Sequence, residues 1–496
     1  MAMTARAIGW RVVSPSPPVP SASDAAHELA IAELVRVSPV VTALGEHFSE
    51  AGHEVALVGG SVRDALLGRL GNDLDFTTSA HPDEVERLLT GHVEAMWDIG
   101  RAFGTIGCRI GALTCEITTY RTEQYDRESR KPDVEYGTSL PGDLARRDFT
   151  VNAMAVRLPS LEFVDPYGGS ADLAAALITT PGRPEDSFDD DPLRMLRAAR
   201  FAAQLGFEVA PAVIAAMTAM ADRLAIVSPE RVRDEFTKLV LSQNPRAGLK
   251  ILVDTGLADA FVPELSAMQL EIDEHHRHKD VYEHTLTVVE QAIVLEGALE
   301  GEEPDLTLRL AALLHDIGKP ATRRFEDGGG VSFHHHEMVG ARLTRKRMKA
   351  LRYPKDLIDD VSRLVELHLR FHGYAEGEWT DSAVRRYVRD AGSLLPRLHA
   401  LTRADCTTRN RRKAASLAGA YDNLEDRIAT LAEAEELASI RPDLDGNDIM
   451  QILQIAPGRD VGEAYQYLLE VRLNEGPLER EDAVALLQQW WGARQT

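Results

Sequence analysis

The chain has 496 residues, 44% of them hydrophobic, 27% charged and only 6% aromatic, with a formal net charge of −23. Single cores stop growing near ~250–300 residues, so this length implies three or four folded units, and the composition is that of a soluble, helix-rich protein. The acidic balance excludes wholesale nucleic-acid coating while leaving room for a local basic phosphate-binding face, and no apolar run approaches the ~18 residues of a membrane span.

In chain order, the Pro/Ser-rich start, residues 1–25, has no apolar region before a small-residue cleavage site, reads as a tail rather than a signal peptide, and points to a cytoplasmic protein. From Glu54 to Tyr136, short β-branched or alternating runs ("EVALVGG", "DLDFTT", "GTIGCRI", "TCEITTYR") alternate with turns and one helical stretch, "HPDEVERLLTG", which predicts an α/β head. Cys108, Cys115 and Cys406 have no paired spacing, so they read as reduced packing residues, not as a disulfide framework or a thiolate zinc site. After Asp186 the period lengthens to about 3.6 residues, and Ser228 followed by Pro229 marks a helix start. A glycine-rich interruption, "EDGGGVSF", and the segment "SIRPDLDGND" punctuate the helical remainder, giving boundaries near 180, 270 and 440. Two basic clusters, Arg345 to Arg352 and Arg409 to Lys413, each read alone as a solvated helix face.

The chemistry concentrates first in "LVGGSVRDALLGRLGNDLDFTT", Leu57 to Thr78. Gly59 and Gly60 end a buried strand where backbone must approach something large, and the helix that follows, with Ser61, offers N–H groups and a dipole to an anion. Arg63 adds a cationic fork. This is neither a Walker A loop nor a dinucleotide fingerprint. Asp73 and Asp75, two residues apart on a strand, share a face and suit Mg²⁺, an oxygen-seeking ion that orients a nucleoside triphosphate. Glu116, on a separate predicted strand, completes an acidic set, although alone it is an ordinary surface acid.

The combination resembles the signature of the nucleotidyltransferase superfamily, in the version carried by bacterial-type tRNA nucleotidyltransferases and their poly(A) polymerase relatives. Further matches run in that family's order over roughly residues 30–490. "DLARRDFTVNAMA" resembles the segment that contacts the nucleotide's ribose, here Arg146, Arg147 and Asp148. "VDPYGGSADL" resembles the close of the head, and "DDPLRMLRAARFAAQLGF" the base-reading segment, with Asp191, Arg194, Arg197 and Arg200. Asp190 stands where glutamate is common, and Pro192 follows Asp191. "SPERVRDEFTKLV" resembles the neck and "DLDGNDIMQILQIAPGRDVGEAYQYLLEVRLNEG" the tail.

On a 3.6-residue helix, Asp191, Arg194 and Arg197 would share a broad face while Arg200 turns away, making Asp191 and Arg194 a natural pair. Cytosine and adenine each present an amino donor beside a ring-nitrogen acceptor, which a carboxylate and a guanidinium complement; uracil and guanine reverse the pattern. The resemblance implies template-independent addition of C, C and A from CTP and ATP to the 3′ end of tRNA. The charged loop "EQYDRESRKPDVEYG" resembles the one carried by full CCA-adding members, and favours addition of all three nucleotides.

A second constellation, His284 in "VYEHTL", His315 and Asp316 in "LLHDIGKP" and Asp405 in "TRADC", resembles the pattern of HD-type metal phosphohydrolases and implies a divalent metal. His334, His335, His336 and His368 are further candidate ligands. The expected architecture is α+β: a tail over 1–25, a nucleotidyltransferase α/β head over 26–180, then an elongated, mainly α-helical remainder made of a neck over 181–270, an HD-type body over 271–440 and a tail over 441–496. The expected partners are tRNA, CTP and ATP and no membrane, with the oligomeric state unspecified. Poly(A) polymerase is the nearest alternative, though such enzymes usually carry a basic C-terminal extension that is absent here. A catalytically silent RNA-binding protein is a second alternative, against which the intact Asp73 and Asp75 argue.

Overall fold

The computed structural model describes Glu33 and residues 39–495, apart from 99, 125–132, 138, 271–279, 302–303, 327–329, 372–373, 375–378, 408–409 and 436–439. The expected tail over 1–25, the middle of the charged loop and Arg409 lie outside the described residues. Two compact units emerge, Met1–Arg194 with Phe207–Ala216 and Met195–Gly206 with Met217–Thr496.

The first unit opens with helix α1 (39–50). It continues with β1 (Val55–Val58), α2 (Gly60–Leu66), β2 (Asp73–Thr78), α3 (Pro82–Leu89), β3 (Ala95–Trp97), β4 (Thr105–Ile110) and β5 (Leu113–Thr119). A hairpin of β6 (Arg121–Gln124) and β7 (Asp133–Tyr136) brackets the charged loop, and α4 (Leu140–Ala145), β8 (Ala155–Leu158), β9 (Phe163–Val164) and α5 (Gly169–Ala174) follow. Seven strands form one sheet in the order β3-β4-β5-β2-β1-β8-β9. Only β2 and β5 run parallel within it. All four residues of β1 are buried, as its unbroken apolar run requires of a central strand. Further on, β10 (Leu177–Ile178) pairs with β11 (Glu208–Val209), and α6 (Pro184–Asp190) precedes α7 (Leu193–Leu205) and α8 (Pro211–Met220).

The second unit is helical. It includes α9 (Pro229–Val240), α10 (Pro245–Asp254), α11 (Leu257–Phe261) and α12 (Pro263–Ala267). The Ser228 hydroxyl caps α9 by accepting from the Arg231 N–H at 3.4 Å, with Pro229 at the first helical position. A helical array follows: α13 (Val281–Glu296), α14 (Leu306–Leu314), α15 (Lys319–Thr322), α16 (His336–Ala350), α17 (Lys355–Leu367), α18 (Asp381–Ala391) and α19 (Leu395–Asp405). The glycine-rich interruption contains a small hairpin, β12 (Arg324–Glu326) with β13 (Gly330–Ser332). The long α20 (Arg411–Glu435) leads to α21 (Gly446–Leu453), α22 (Arg459–Glu475) and α23 (Arg480–Gln495). These last three bury their own cluster, including Ile449, Ala464, Leu468, Ala483 and Leu487. Among the described residues, no helix is long and apolar enough to cross a membrane.

Candidate active site and metal centre

In the head, the parallel register of β2 and β5 sets Asp75 directly beside Glu116 and Asp73 beside Thr114. Because side chains alternate along a strand, Asp73, Asp75 and Glu116 share one face, and all three are exposed while Leu74 and Cys115 point into the core. Loss of hydration is the largest influence on Asp75 and raises its pKa; Arg147 and Arg63 offset part of this, while Glu116 and Asp73 add to it. Three mutually repelling carboxylates on one face form an oxygen-only donor set that fits Mg²⁺.

The segment after β1 is fitted to this acidic face. Gly59 has φ +69°, a conformation that favours glycine, and a Cβ there would lie 2.8 Å from Arg147 Nη1. The Ser61 hydroxyl accepts from the Asp75 N–H at 2.9 Å, which ties α2 to β2. Arg63 is nearly buried and donates to Asn152 Oδ1 at 2.7 Å and to both Asp64 oxygens at 2.9 and 3.0 Å. It therefore acts on Asp75 as a fixed positive charge held by side-chain partners.

Sequence reasoning missed the acid that organises the arginines. Asp143, 1% exposed, accepts from Arg146 at 3.2 Å through Oδ1 and from Arg147 at 3.2 Å through Oδ2. Burial alone would raise the Asp143 pKa, but Arg147 and Arg146 overcome it and hold the carboxyl below its ordinary range. Its i,i+3 and i,i+4 spacing to the two arginines was the available signal. Asp143 Oδ1 also accepts the Arg121 N–H at 3.4 Å, at the base of the β6–β7 hairpin. Asp148 is buried and accepts from Phe149 N–H and Asn152 Nδ2 at 2.9 and 3.0 Å. Asp165 caps α5, accepting the N–H groups of Gly169 and Ser170 at 2.7 and 2.9 Å.

The base-reading segment departs from the helical spacing expected of it. Asp191 lies between α6 and α7 with extended dihedrals, φ −141° and ψ 99°, because a residue preceding proline is disfavoured in the helical region. From there Asp191 Oδ1 accepts the Leu193 N–H at 3.1 Å. Arg194, buried, donates to Ser187 Oγ at 2.8 Å and to the Arg146 carbonyl at 2.6 Å. In the second unit, Arg200 is buried against Glu235 on α9, with Nε donating to Oε2 at 2.5 Å, and Arg197 lies 3.6 Å from the same carboxylate. Glu235 carried no local signal, since it is 35 residues from Arg200. Part of the first basic cluster is also structural, with Arg347 held by Glu264 at 2.9 Å and by the Phe261 carbonyl at 2.9 Å.

The second unit gathers helix ends around Asp316. His284 comes from the first turn of α13, His315 and Asp316 follow α14, His336 begins α16, His368 follows α17 and Asp405 ends α19. Gly318 makes the close approach possible, since a Cβ there would lie 2.1 Å from the His336 carbonyl oxygen. His284 Nε2 lies 2.9 Å from Asp405 Oδ1 and 3.6 Å from Asp316 Oδ2, and His315 Nε2 lies 3.1 Å from Asp316 Oδ2. His336 belongs to this cluster, whereas His334 and His335 are exposed. Lys319 Nζ donates to Asp316 Oδ2 at 2.6 Å. Burial would lower the His315 pKa, but Asp316 and Asp405 outweigh it and raise it. Asp316 stands well below the ordinary carboxylate range despite its burial, chiefly because of His315, His336 and Lys319. Burial pushes His368 down to about 3. Imidazoles around carboxylates are a donor set for a divalent cation.

Comparison with known proteins matches a family model to the region that carries each cluster. Residues 55–179 match the poly A polymerase head domain, 206–269 the probable RNA- and SrmB-binding site of polymerase A, and 281–435 the HD domain. The chain is 34% identical over 447 residues to an A-adding tRNA nucleotidyltransferase of Deinococcus radiodurans, covering 88% of this chain and 95% of that one. It is 32% identical over 450 residues to a CC-adding tRNA nucleotidyltransferase of Thermus thermophilus, covering 88% and 94%. A CCA-adding enzyme of Bacillus velezensis is 40% identical over 241 residues, covering 48% of this chain and 58% of that one. The fold is similar to the crystal structure of the Bacillus stearothermophilus CCA-adding enzyme in complex with CTP, with a TM-score of 0.62 at 24% identity over 92% of this chain and 97% of that one. The chain belongs to the tRNA nucleotidyltransferase and poly(A) polymerase family, with an HD domain.

Proposed function

We propose that the chain adds C, C and A to the 3′ end of tRNA, using CTP and ATP. The observation that carries this reading is the single acidic face of Asp73, Asp75 and Glu116 beside Arg147, with Arg147 and Arg146 both held by Asp143. Asp73 and Asp75 would hold Mg²⁺. The chemistry that Mg²⁺ supplies when bound is activation of the tRNA hydroxyl and stabilisation of charge on the departing pyrophosphate. Gly59, Gly60 and Ser61 bring backbone close to the triphosphate, Arg63 and Arg147 supply positive charge, and Arg146 and Asp148 face the ribose. Asp191 accepts from the exocyclic amino group of cytosine or adenine, and Arg194 donates to the ring nitrogen beside it. Uracil and guanine would set a carbonyl against the carboxylate and an N–H against the guanidinium, which a site built for hydrogen bonds rejects strongly. Arg200 is committed to Glu235, and its part in nucleotide binding is to position the helix that carries Arg197.

Addition of all three nucleotides is favoured over A-only or CC-only addition by the β6–β7 hairpin, which carries the charged loop and whose base is tied to Asp143. The experiment offers separate tRNAs ending before CCA and after CC, with each NTP singly and together, and sequences the 3′ ends. A defined C-C-A product on the first tRNA and A on the second is expected. No extension of the first tRNA would make it A-adding, a stop after two C residues CC-adding, and a long A tract a poly(A) polymerase.

The convergence of His284, His315, Asp316 and Asp405 favours a second reading for the HD unit. These residues would hold a divalent metal, and the activity is hydrolysis of a terminal or 2′,3′-cyclic phosphate on RNA. Purified protein with Mg²⁺, Mn²⁺, Ni²⁺ or Co²⁺ should hydrolyse 2′,3′-cyclic AMP or a phosphorylated RNA end; absence of both hydrolysis and metal binding would leave this unit a structural RNA-binding body.

A further inference from the structure

The hairpin that follows the HD motif presents an aromatic face that no core uses. In its two short antiparallel strands Arg324 stands opposite Ser332, Phe325 opposite Val331 and Glu326 opposite Gly330. Alternation puts Phe325 and Val331 on one face and Arg324, Glu326 and Ser332 on the other, where the Ser332 hydroxyl donates to the Glu326 carboxylate. Continued by one residue on each strand, the same alternation adds Arg323 and Phe333 to the Phe325 face. Glu326 is the only acid among the hairpin's described residues, and it belongs to the other face.

Phe325 is 74% exposed, more than any other Phe, Tyr or Trp among the described residues. The Arg323 guanidinium lies 4.7 Å from the centre of its ring, and Arg323 Nε is buried without a hydrogen-bond partner. At the inner end, Lys319 Nζ lies 5.8 Å from the centre of the Phe333 ring and donates to Asp316 Oδ2 at 2.6 Å, while the Phe333 carbonyl accepts from His336 Nδ1 at 2.8 Å. The face therefore begins at the helix ends around Asp316 and runs outward past Phe333 and Arg323 to Phe325. Rings interleaved with cations fit an unstacked nucleotide, because every base has a π-face to lay on an aromatic ring and every phosphate carries a charge for an ammonium or guanidinium.

We propose that this face of the β12–β13 hairpin is a stacking platform for the last base of an RNA 3′ end, with Phe325 beneath the base and Lys319 and Arg323 beside its phosphates. This rests on the reading of the HD unit as a site for a terminal phosphate and gives that site a base-binding subsite. A nucleotide carries its base one sugar away from its phosphate, so a terminal phosphate at Asp316 and Lys319 places the base over the hairpin and not in the buried centre. A chain end fits better than a mononucleotide, since Arg323 has the preceding backbone phosphate to meet. Stacking reads no hydrogen-bonding edge, so the subsite accepts any of the four bases.

The test uses the full-length chain and a short oligoribonucleotide that ends in 2-aminopurine with a 2′,3′-cyclic phosphate, beside the same oligomer with an abasic last residue. Binding should quench the 2-aminopurine fluorescence, and the parent should have a KM about tenfold lower for the base-bearing oligomer than for the abasic one, with similar kcat. Phe325→Ala should raise the KM of the base-bearing oligomer about tenfold, abolish the quenching and leave the abasic oligomer and nucleotide addition to tRNA unchanged, and Phe325→Trp should restore the parent's values. Hydrolysis that does not distinguish the two oligomers and is untouched by Phe325→Ala would overturn the platform and leave the phosphohydrolase reading standing. Quenching that depends on Phe325 without any hydrolysis would keep the platform and end that reading, and the absence of both would overturn both. The parent's preference between the two oligomers decides the matter even if a variant fails to fold.

Discussion

In the head, Asp73 and Asp75 stand exposed at the start of β2 and the charged groups around them are anchored elsewhere, Arg63 to Asp64 and Asn152, Arg147 to Asp143. In the HD unit, Asp316 is 1% exposed and His315 fully buried, and imidazoles already surround the carboxylate with Nδ1 fixed by backbone. The first arrangement leaves its carboxylates open to metal and nucleotide arriving from solvent. The second keeps its candidate ligands buried and already oriented before any ion binds.

The largest effect that would break this comparison comes from the acids themselves. Asp75→Ala should lower nucleotide addition by about 10³-fold or more, since several kcal/mol of charge stabilisation are removed and each 1.36 kcal/mol is tenfold. Affinity for tRNA measured by filter binding and metal retained by the HD unit should stay nearly unchanged. Asp316→Ala is the converse: retained metal should fall below detection in elemental analysis while nucleotide addition remains within about twofold. If Asp316→Ala also abolished addition, the two sites could not be treated as independent.

Next in size is Arg194→Ala. Steady-state kcat/KM for all four NTPs should show CTP and ATP falling by about 10²-fold with UTP and GTP much less affected, because the loss is of hydrogen bonds specific to the cytosine and adenine edge. A uniform fall across the four would assign base choice to other residues and leave Arg194 with its contacts to Ser187 and the Arg146 carbonyl.

The smallest effect concerns Asp143, whose substitution by Asn leaves Arg146 and Arg147 without their shared charge. Breaking a buried pair costs about 3–5 kcal/mol, and because the two arginines are partly exposed a loss of about 1–3 kcal/mol is expected at neutral pH. The Asp143 pKa is depressed in the folded protein, so its contribution is present above the unfolded carboxylate value of about 4 and is lost as pH falls through the native value. Urea unfolding of parent and variant should therefore diverge at pH 7 and converge in acid. A constant difference across that range would mean that the carboxylate's charge is not what stabilises the head.

Sequence patterns made several elements legible because they are local: the apolar run of β1, the alternation of β2 and the Ser-Pro start of α9 each declare themselves within a few residues. The pairing of Asp75 with Glu116 was less so, since 41 residues separate them and only the parallel register of β2 and β5 makes them neighbours. At Asp191 the helical spacing misled, because Pro192 excludes the preceding residue from the helix and makes it a cap. Among the four candidate histidines of the HD unit, sequence could not choose. His335 adjoins His336, yet only His336 points inward, because His335 takes φ +59° as the N-cap of α16 and α16 begins one residue later.

By itself, then, the sequence determined which residue types occur at which spacings, and hence the acidic pair on β2, the arginine-rich segment, the HD motif and the family. Tertiary structure alone decided what those groups face. A carboxylate's role depends on its burial and its neighbours, and these come from strand register and from helices that meet after tens of residues. That is why Asp143 and Glu235 carry arginines, Asp165 caps a helix, and Asp316 has an imidazole facing each of its oxygens.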